Sequence, residues 1–188
     1  MEVVSPSSLM LKDFLPAIAA FMSAGLAGYF GPRFLERRRR KWETRNLALA
    51  FGGEIKAIQR IVKVRKYQEF IQQLIEHTRT TGQPLYIAPR IQREYFGVYK
   101  GNLGRLGMLD APLPELIATF YTMANGILED FESARDPANQ EFLTAEVLIG
   151  FYEQLFQVFH HAMSLSDQII AEISRQYGID VRPLEREE

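Results

Sequence analysis

At 188 residues, with 47% hydrophobic and 24% charged side chains, the chain is long enough for one sizeable core but short for two independent domains, and wholesale disorder is excluded. The absence of cysteine excludes structural disulfides, thiolate zinc sites and cysteine nucleophiles, which fits a reducing compartment. A formal net charge of -1 conceals a steep asymmetry: twelve Lys and Arg against three Glu give +9 between Arg33 and Lys66, whereas the chain from Tyr67 onward carries -9.

A basic excess confined to one segment needs a local reason, and the residues just before it supply one. From Phe14 to Pro32 no side chain is ionisable except Tyr29. As a helix this stretch covers about 27 Å, close to the ~30 Å hydrocarbon core of a bilayer. Pro16 suits a first helical turn, Tyr29 and Phe30 sit where an aromatic belt belongs, and the basic run follows at once. These features predict a short non-cytoplasmic N-terminus (1–13), a transmembrane helix (14–32) and a basic juxtamembrane collar (33–45). In the collar Arg33, Arg37, Arg38, Arg39, Arg40 and Lys41 reach anionic headgroups and Trp42 lies at the interface. Only Lys12 is basic on the other flank, so the positive-inside rule places the C-terminal domain in the cytoplasm of a single-pass plasma (inner) membrane protein. A cleavable signal peptide would carry its positive charge before the apolar stretch, where Glu2, Lys12 and Asp13 stand instead. The alternative is an interfacial or buried soluble helix, which Gly25, Gly28 and Gly31 leave open.

Within the expected span two ridges of small residues run at four-residue spacing, one through Ala20, Ala24 and Gly28, the other through Ala19, Ser23, Ala27 and Gly31. Such ridges let helix backbones approach closely in lipid, which points to self-association or docking on another membrane subunit; a plain Ala/Gly-rich anchor is the competing reading.

Beyond the collar, residues 46–178 read as a helical bundle. Leu47, Phe51, Ile55, Ile58, Val62, Ile71, Leu74 and Ile75 recur at helical spacing, predicting a helix from Phe34 to about Thr80 with a bend or close contact at Gly52-Gly53. Thr80 to Pro84 ends it, and a shorter helix is expected from Pro89 to Leu103. Gly101, Gly104 and Gly107 lack the strand and the Gly-Lys-Ser/Thr ending of a phosphate loop, so the segment is read as a helix end and turn stapled by Leu103, Leu106 and Leu109. Asp110 or a neighbour caps a third helix whose buried face carries Ile117, Phe120, Tyr121, Ala124, Ile127 and Phe131. A loop at 134–139 leads to a last long helix with a seam of Leu148, Phe151, Leu155, Val158, Ala162, Leu165, Ile169 and Ile173, widened by Phe156, Phe159, Met163 and Ile170 and closed by Gly178. The expected fold is all-α: an N-terminal transmembrane helix followed by an antiparallel helical bundle with two long and two shorter helices, ending in a polar tail (179–188).

Tyr99, Asn102, Leu103, Leu106, Gly107 and Leu109, followed by Pro114, Ile117, Phe120 and Tyr121, form a spacing that resembles one in uncharacterised bacterial single-pass membrane proteins with a cytoplasmic helical domain. The resemblance lies within residues 95–121 and departs at Gly101. It implies the layout and no activity.

Chemistry is thinly written. His77, His160 and His161 lack the Glu three residues earlier that a di-metal bundle uses, and no nucleophile with a base and no dinucleotide fingerprint is present. Glu146, Glu153, His160 and Asp167 recur every seven residues, either as a partner-facing or metal-binding stripe or as a solvated face opposite the seam. Tyr95, Phe96, Tyr99 and Tyr121 line either a pocket or the core. No cofactor and no metal is expected. The function these readings predict is a membrane-anchored interaction or scaffold protein, an accessory or sensing subunit without catalysis. Its partners would be anionic headgroups and a protein partner or second copy. The alternatives are a nucleic-acid or anionic-lipid binding module using the collar, with nucleic acid disfavoured beside an apolar span, and an enzyme with an unrecognised site.

Overall fold

The structure, a computed structural model, describes the backbone of residues 6–87, 89, 93–140 and 143–178, and the side chains of residues 33–87, 89, 95–138 and 143–178. It is all-helical, with no strand among the described residues: α1 (Pro6–Val64), α2 (Tyr67–Thr81), α3 (Gly97–Asn102), α4 (Leu113–Arg135), α5 (Pro137–Gln140) and α6 (Ala145–Tyr177), with 3-10 turns at Arg93–Phe96 and Leu103–Met108. The chain divides into two compact units, Met1–Thr44 and Arg45–Glu188. The expected span at 14–32 and its small-residue ridges (Ala19, Ala20, Ser23, Ala24, Ala27, Gly28) lie outside the residues whose side chains are described. Among the described residues no helix is long and apolar enough to cross a membrane.

In the second unit α6 is the central strut. Gln176, at its C-terminal end, donates to the Ala111 carbonyl (2.9 Å) just before α4, while Phe120 and Ala124 further along α4 border the same hollow as Phe159 and Ala162. The two helices are therefore antiparallel. On its other flank, Gln59 donates to Ser166 (2.7 Å) and Asp167 (2.8 Å), Tyr67 meets Phe159 edge to face, and Arg79 pairs with Glu153 (2.6 Å). As the chain advances from 59 to 79 its partners retreat from 167 to 153, so the end of α1 and all of α2 form one kinked rod antiparallel to α6. Leu47, Phe51, Ile55, Ile71, Ile117, Leu148, Tyr152 and Ile169 are buried where these elements meet. This differs from the expected two long and two shorter helices: the first long helix is divided, and α3 and α5 are single short turns.

The division has a physical cause. α1 continues through Gly52-Gly53, where a bend or a close contact is the expectation and where Gly52 is buried, and ends at Arg65-Lys66. Continuing the 3.6-residue repeat from Val62 would turn Arg65, Lys66 and Glu69 inward. Lys66 adopts a left-handed conformation (φ 51°, ψ 43°) that ends α1, and its carbonyl accepts from Phe70 (2.9 Å), so the helix restarts in a phase that buries Tyr67 and Ile71. A side chain in that conformation costs roughly 1–2 kcal/mol. Lys66→Gly is therefore expected to raise the unfolding free energy by about 0.5 kcal/mol after the added chain entropy is subtracted, and Lys66→Ile to lower it, because β-branching tolerates positive φ least. Urea denaturation followed by circular dichroism reads both signs; the same sign for both would show that the kink does not depend on this residue.

The other helix ends follow their sequences with one correction. Gly82 (φ 65°) and Gly178 (φ 61°) close α2 and α6, their amides bonding to the Thr78 and Ser174 carbonyls, and Thr144 caps α6 by accepting from the Val147 amide (3.4 Å). Asp110 does not cap α4 with its carboxylate. Its carbonyl accepts from Leu113 (3.1 Å), and its side chain takes a hydrogen bond from the Tyr177 hydroxyl (3.3 Å), spending the group on the α4–α6 contact. Leu103 is exposed rather than stapling the glycine-rich turn, which Leu106 and the buried Leu109 hold. The α6 seam is rotated slightly toward one side of the expected face: Tyr152, outside that face, and Phe159, on its widened part, are buried while Phe151 and Val158 are partly buried, because the Tyr152 hydroxyl reaches the Leu85 carbonyl (2.8 Å) and Phe159 packs on Tyr67.

Candidate membrane-surface face and interior clamp

The collar lies in the first unit, and its geometry sorts residues that the sequence leaves equivalent. At about 100° per residue, Phe34, Arg38 and Trp42 follow one line along α1 with Leu35 beside it, Glu36, Arg39, Arg40 and Glu43 share another side, and Arg33, Arg37 and Lys41 lie between. The side chains enforce the division. Arg40 pairs with Glu36 (3.1 Å) and Arg39 with Glu43 (2.8 Å), one turn apart in each case. Each exposed pair adds little to the stability of the helix, but each also cancels a charge locally. Arg37, Arg38 and Lys41 have no anionic partner among the described residues. Beside them Phe34 and Leu35 are each 66% exposed and Trp42 65% exposed, large apolar groups held mostly in solvent. An apolar-aromatic stripe next to uncompensated cations is the arrangement by which a helix meets an anionic interface.

The third glutamate of the basic segment is spent elsewhere. Glu54 projects from α1 in the second unit, and its carboxylate accepts from the backbone amides of Val98 (2.6 Å) and Tyr99 (3.1 Å) in the first turn of α3 and from the Tyr121 hydroxyl of α4. One side chain thus ties three elements and satisfies amides that an N-terminal turn leaves without helical partners. Around it Tyr99 stacks on Tyr121 at 4.0 Å, Phe96 meets Tyr121 edge-on, and Phe51 meets Tyr99 likewise. Tyr95, Phe96, Tyr99 and Tyr121 divide accordingly: the latter two belong to this packed clamp, and the former two border an apolar hollow. Glu54 carried a sequence signal. It falls on the same helical stripe as Leu47, Phe51, Ile55 and Ile58, an acid at a core position.

Two buried phenols set an alkaline limit. Burial, reinforced by the bond to Glu54, holds the Tyr121 phenol far above its ordinary value, and burial pushes Tyr152 up to about 12. A raised folded-state value means that the stabilisation is complete below the unfolded tyrosine value of ~10 and is lost as pH climbs toward 12, because the unfolded chain then releases protons the folded chain retains. Spectrophotometric titration is expected to show Tyr121 and Tyr152 ionising only together with the loss of helical signal; their titration within folded protein near pH 10 would contradict the burial argument.

The heptad-spaced polar residues of α6 are neither a metal site nor a purely solvated face. Glu153 pairs with Arg79 and Asp167 accepts from Gln59, so half of the stripe fastens α6 to the kinked rod, while Glu146 and His160 are exposed. His77 and His161 are exposed as well, and among the described residues no cluster of His, Cys, Asp and Glu is placed to hold a metal ion. No family model, curated protein or solved structure matches the chain.

Proposed function

We propose that the chain is a membrane-anchored helical scaffold or accessory subunit. Residues 14–32 form its single span with the N-terminus outside, residues 33–45 rest against anionic headgroups of the inner leaflet, and residues 46–178 are offered to a protein partner on the cytoplasmic side. The observation that carries this reading is the sorting of the collar: Phe34, Leu35 and Trp42 exposed beside the unpaired Arg37, Arg38 and Lys41, with both collar glutamates turned to a different side in ion pairs. A merely solvated basic helix would not need three large apolar side chains in water. The bacterial layout that the Tyr99–Tyr121 pattern resembles is of the same kind. The small-residue ridges at Ala20, Ala24 and Gly28 and at Ala19, Ser23 and Ala27 would supply close contacts between spans.

Trp42 is the chain's single tryptophan, so fluorescence excited at wavelengths beyond tyrosine absorption reports the collar alone. In proteoliposomes of the full chain its emission is expected to be blue-shifted and to be quenched more strongly by brominated phosphatidylglycerol than by brominated phosphatidylcholine. Water-like emission without quenching, from a chain that stays in the supernatant after lysis without detergent, would overturn the placement. A Trp42 response to DNA or RNA in its place, steeply dependent on salt, would favour the nucleic-acid reading.

A further inference from the structure

Between α1, α4 and α6 lies an apolar hollow whose accessible interior measures about 60 Å³, bordered by Ile58, Val62, Tyr67, Phe120, Phe159 and Met163 among others. Ile61, Val62, Ala124 and Met163 are only partly buried, so the hollow opens to solvent along them rather than being sealed. The enclosed part has room for a few carbon-sized groups. Its lining offers almost no polar surface to hold water, and the nearest charge is set by the kink beside it. Val62 and Tyr67 flank the kink, and the three residues between them that carry charge are Lys63, Arg65 and Lys66. None of the three has an anionic partner among the described residues. The Arg65 guanidinium donates to the Tyr67 hydroxyl (3.0 Å) and lies within electrostatic reach of Tyr95, both of which border the hollow.

An apolar slot partly open to solvent, with a guanidinium bonded to a tyrosine of its border, is complementary to a chain that is hydrocarbon at one end and anionic at the other. We propose that the hollow between α1, α4 and α6 binds a single-chain fatty acid, its tail end in the enclosed part, its remaining methylenes along Ile61, Ala124 and Met163, and its carboxylate at Arg65. A planar guanidinium favours a carboxylate because two parallel N–H donors match its two oxygens. A narrow hollow favours one chain over two. This goes beyond the scaffold reading and stands apart from it, since every residue involved belongs to the second unit. The pair would make the domain responsive to free fatty acid.

The test is photo-crosslinking of the full chain in nanodiscs with dodecanoic acid carrying a diazirine at its tail end, with adducts mapped by mass spectrometry. Adducts are expected on the buried lining, at Phe120, Leu128 or Phe159, competed by unlabelled dodecanoate at least fivefold better than by dodecanol. Arg65→Gln, at an exposed side chain, should abolish that fivefold preference, and Ala124→Phe, which fills the hollow, should remove these adducts while sparing any elsewhere. Adducts confined to residues 14–42 would overturn the proposal. So would equal competition by the alcohol, a preference unaffected by Arg65→Gln, or stronger adducts at these positions from a diazirine-bearing phosphatidylglycerol. The first and last of these outcomes leave the membrane placement untouched.

Discussion

Replacing Glu54 with alanine is expected to lower the unfolding free energy of the helical domain by about 3–5 kcal/mol, a large share of the ~5–15 kcal/mol available to a domain. The side chain accepts from the Val98 and Tyr99 amides and from the Tyr121 hydroxyl, and Tyr121 is fully buried. Removing the acceptor strands a buried phenol and two amides, and each stranded group costs roughly 1–3 kcal/mol. Glu54→Gln retains one carbonyl oxygen and should lose about 1–2 kcal/mol. Tyr121→Phe removes one donor and should cost a similar amount alone, yet little in the Glu54→Ala background, because residues of one network are not additive. Thermal melts in mild detergent should place Glu54→Ala about 10–20 °C below the parent protein. Amide exchange at Val98 and Tyr99 should accelerate with it. A change of under 1 kcal/mol with both amides still protected would show that the three elements are held by apolar packing alone.

The second large effect concerns lipid preference. Substituting Gln for Arg37, Arg38 and Lys41 together should cost about 3 kcal/mol of attraction to an anionic leaflet, up to ~150-fold in the relative affinity for phosphatidylglycerol over phosphatidylcholine. Neutralising Glu36, Arg39, Arg40 and Glu43 together, by Gln at each, leaves the net charge of the collar unchanged and removes only paired groups. That variant should keep most of the preference. Competitive quenching of Trp42 by brominated lipids reads both variants, and raising the salt should shrink the difference, as expected for exposed charges. Equal losses in the two variants would mean that ion pairing does not set which cations meet the lipid.

Much of the helical domain was open to sequence reasoning because one apolar stripe per helix is a local property. Leu47, Phe51 and Ile55, Ile117, Phe120 and Phe131, and Leu148, Leu155 and Ile169 are buried as their spacing requires, and Gly82 and Gly178 stop helices for a backbone reason that any neighbour sequence would respect. The kink at Lys66 was also written, as the charges Arg65, Lys66 and Glu69 falling on the stripe that continues from Val62, although two glycines thirteen residues earlier offered the stronger local signal for a bend. The glycines do not end α1, since helical hydrogen bonding needs no side chain there, and Gly52 is buried. Phe159 is buried on the widened face that its spacing indicates, whereas Tyr152 is buried because its hydroxyl finds the Leu85 carbonyl on another segment, which no single helix can disclose.

The sequence by itself determined that the chain is helical, that its basic charge is concentrated between Arg33 and Lys66, and which stripe of each long helix seeks a core. Those are consequences of spacing and composition, which act over a few residues. Tertiary structure alone decided what the polar groups do. It assigned Glu54 to α3 and Tyr121, Asp110 to Tyr177, and Glu153 and Asp167 to the α1–α2 rod. The physical reason is range: an apolar side chain is satisfied by any apolar neighbour, whereas a carboxylate or a guanidinium requires a particular donor or acceptor at hydrogen-bond distance, and here those partners stand 44 to 108 residues away in the chain.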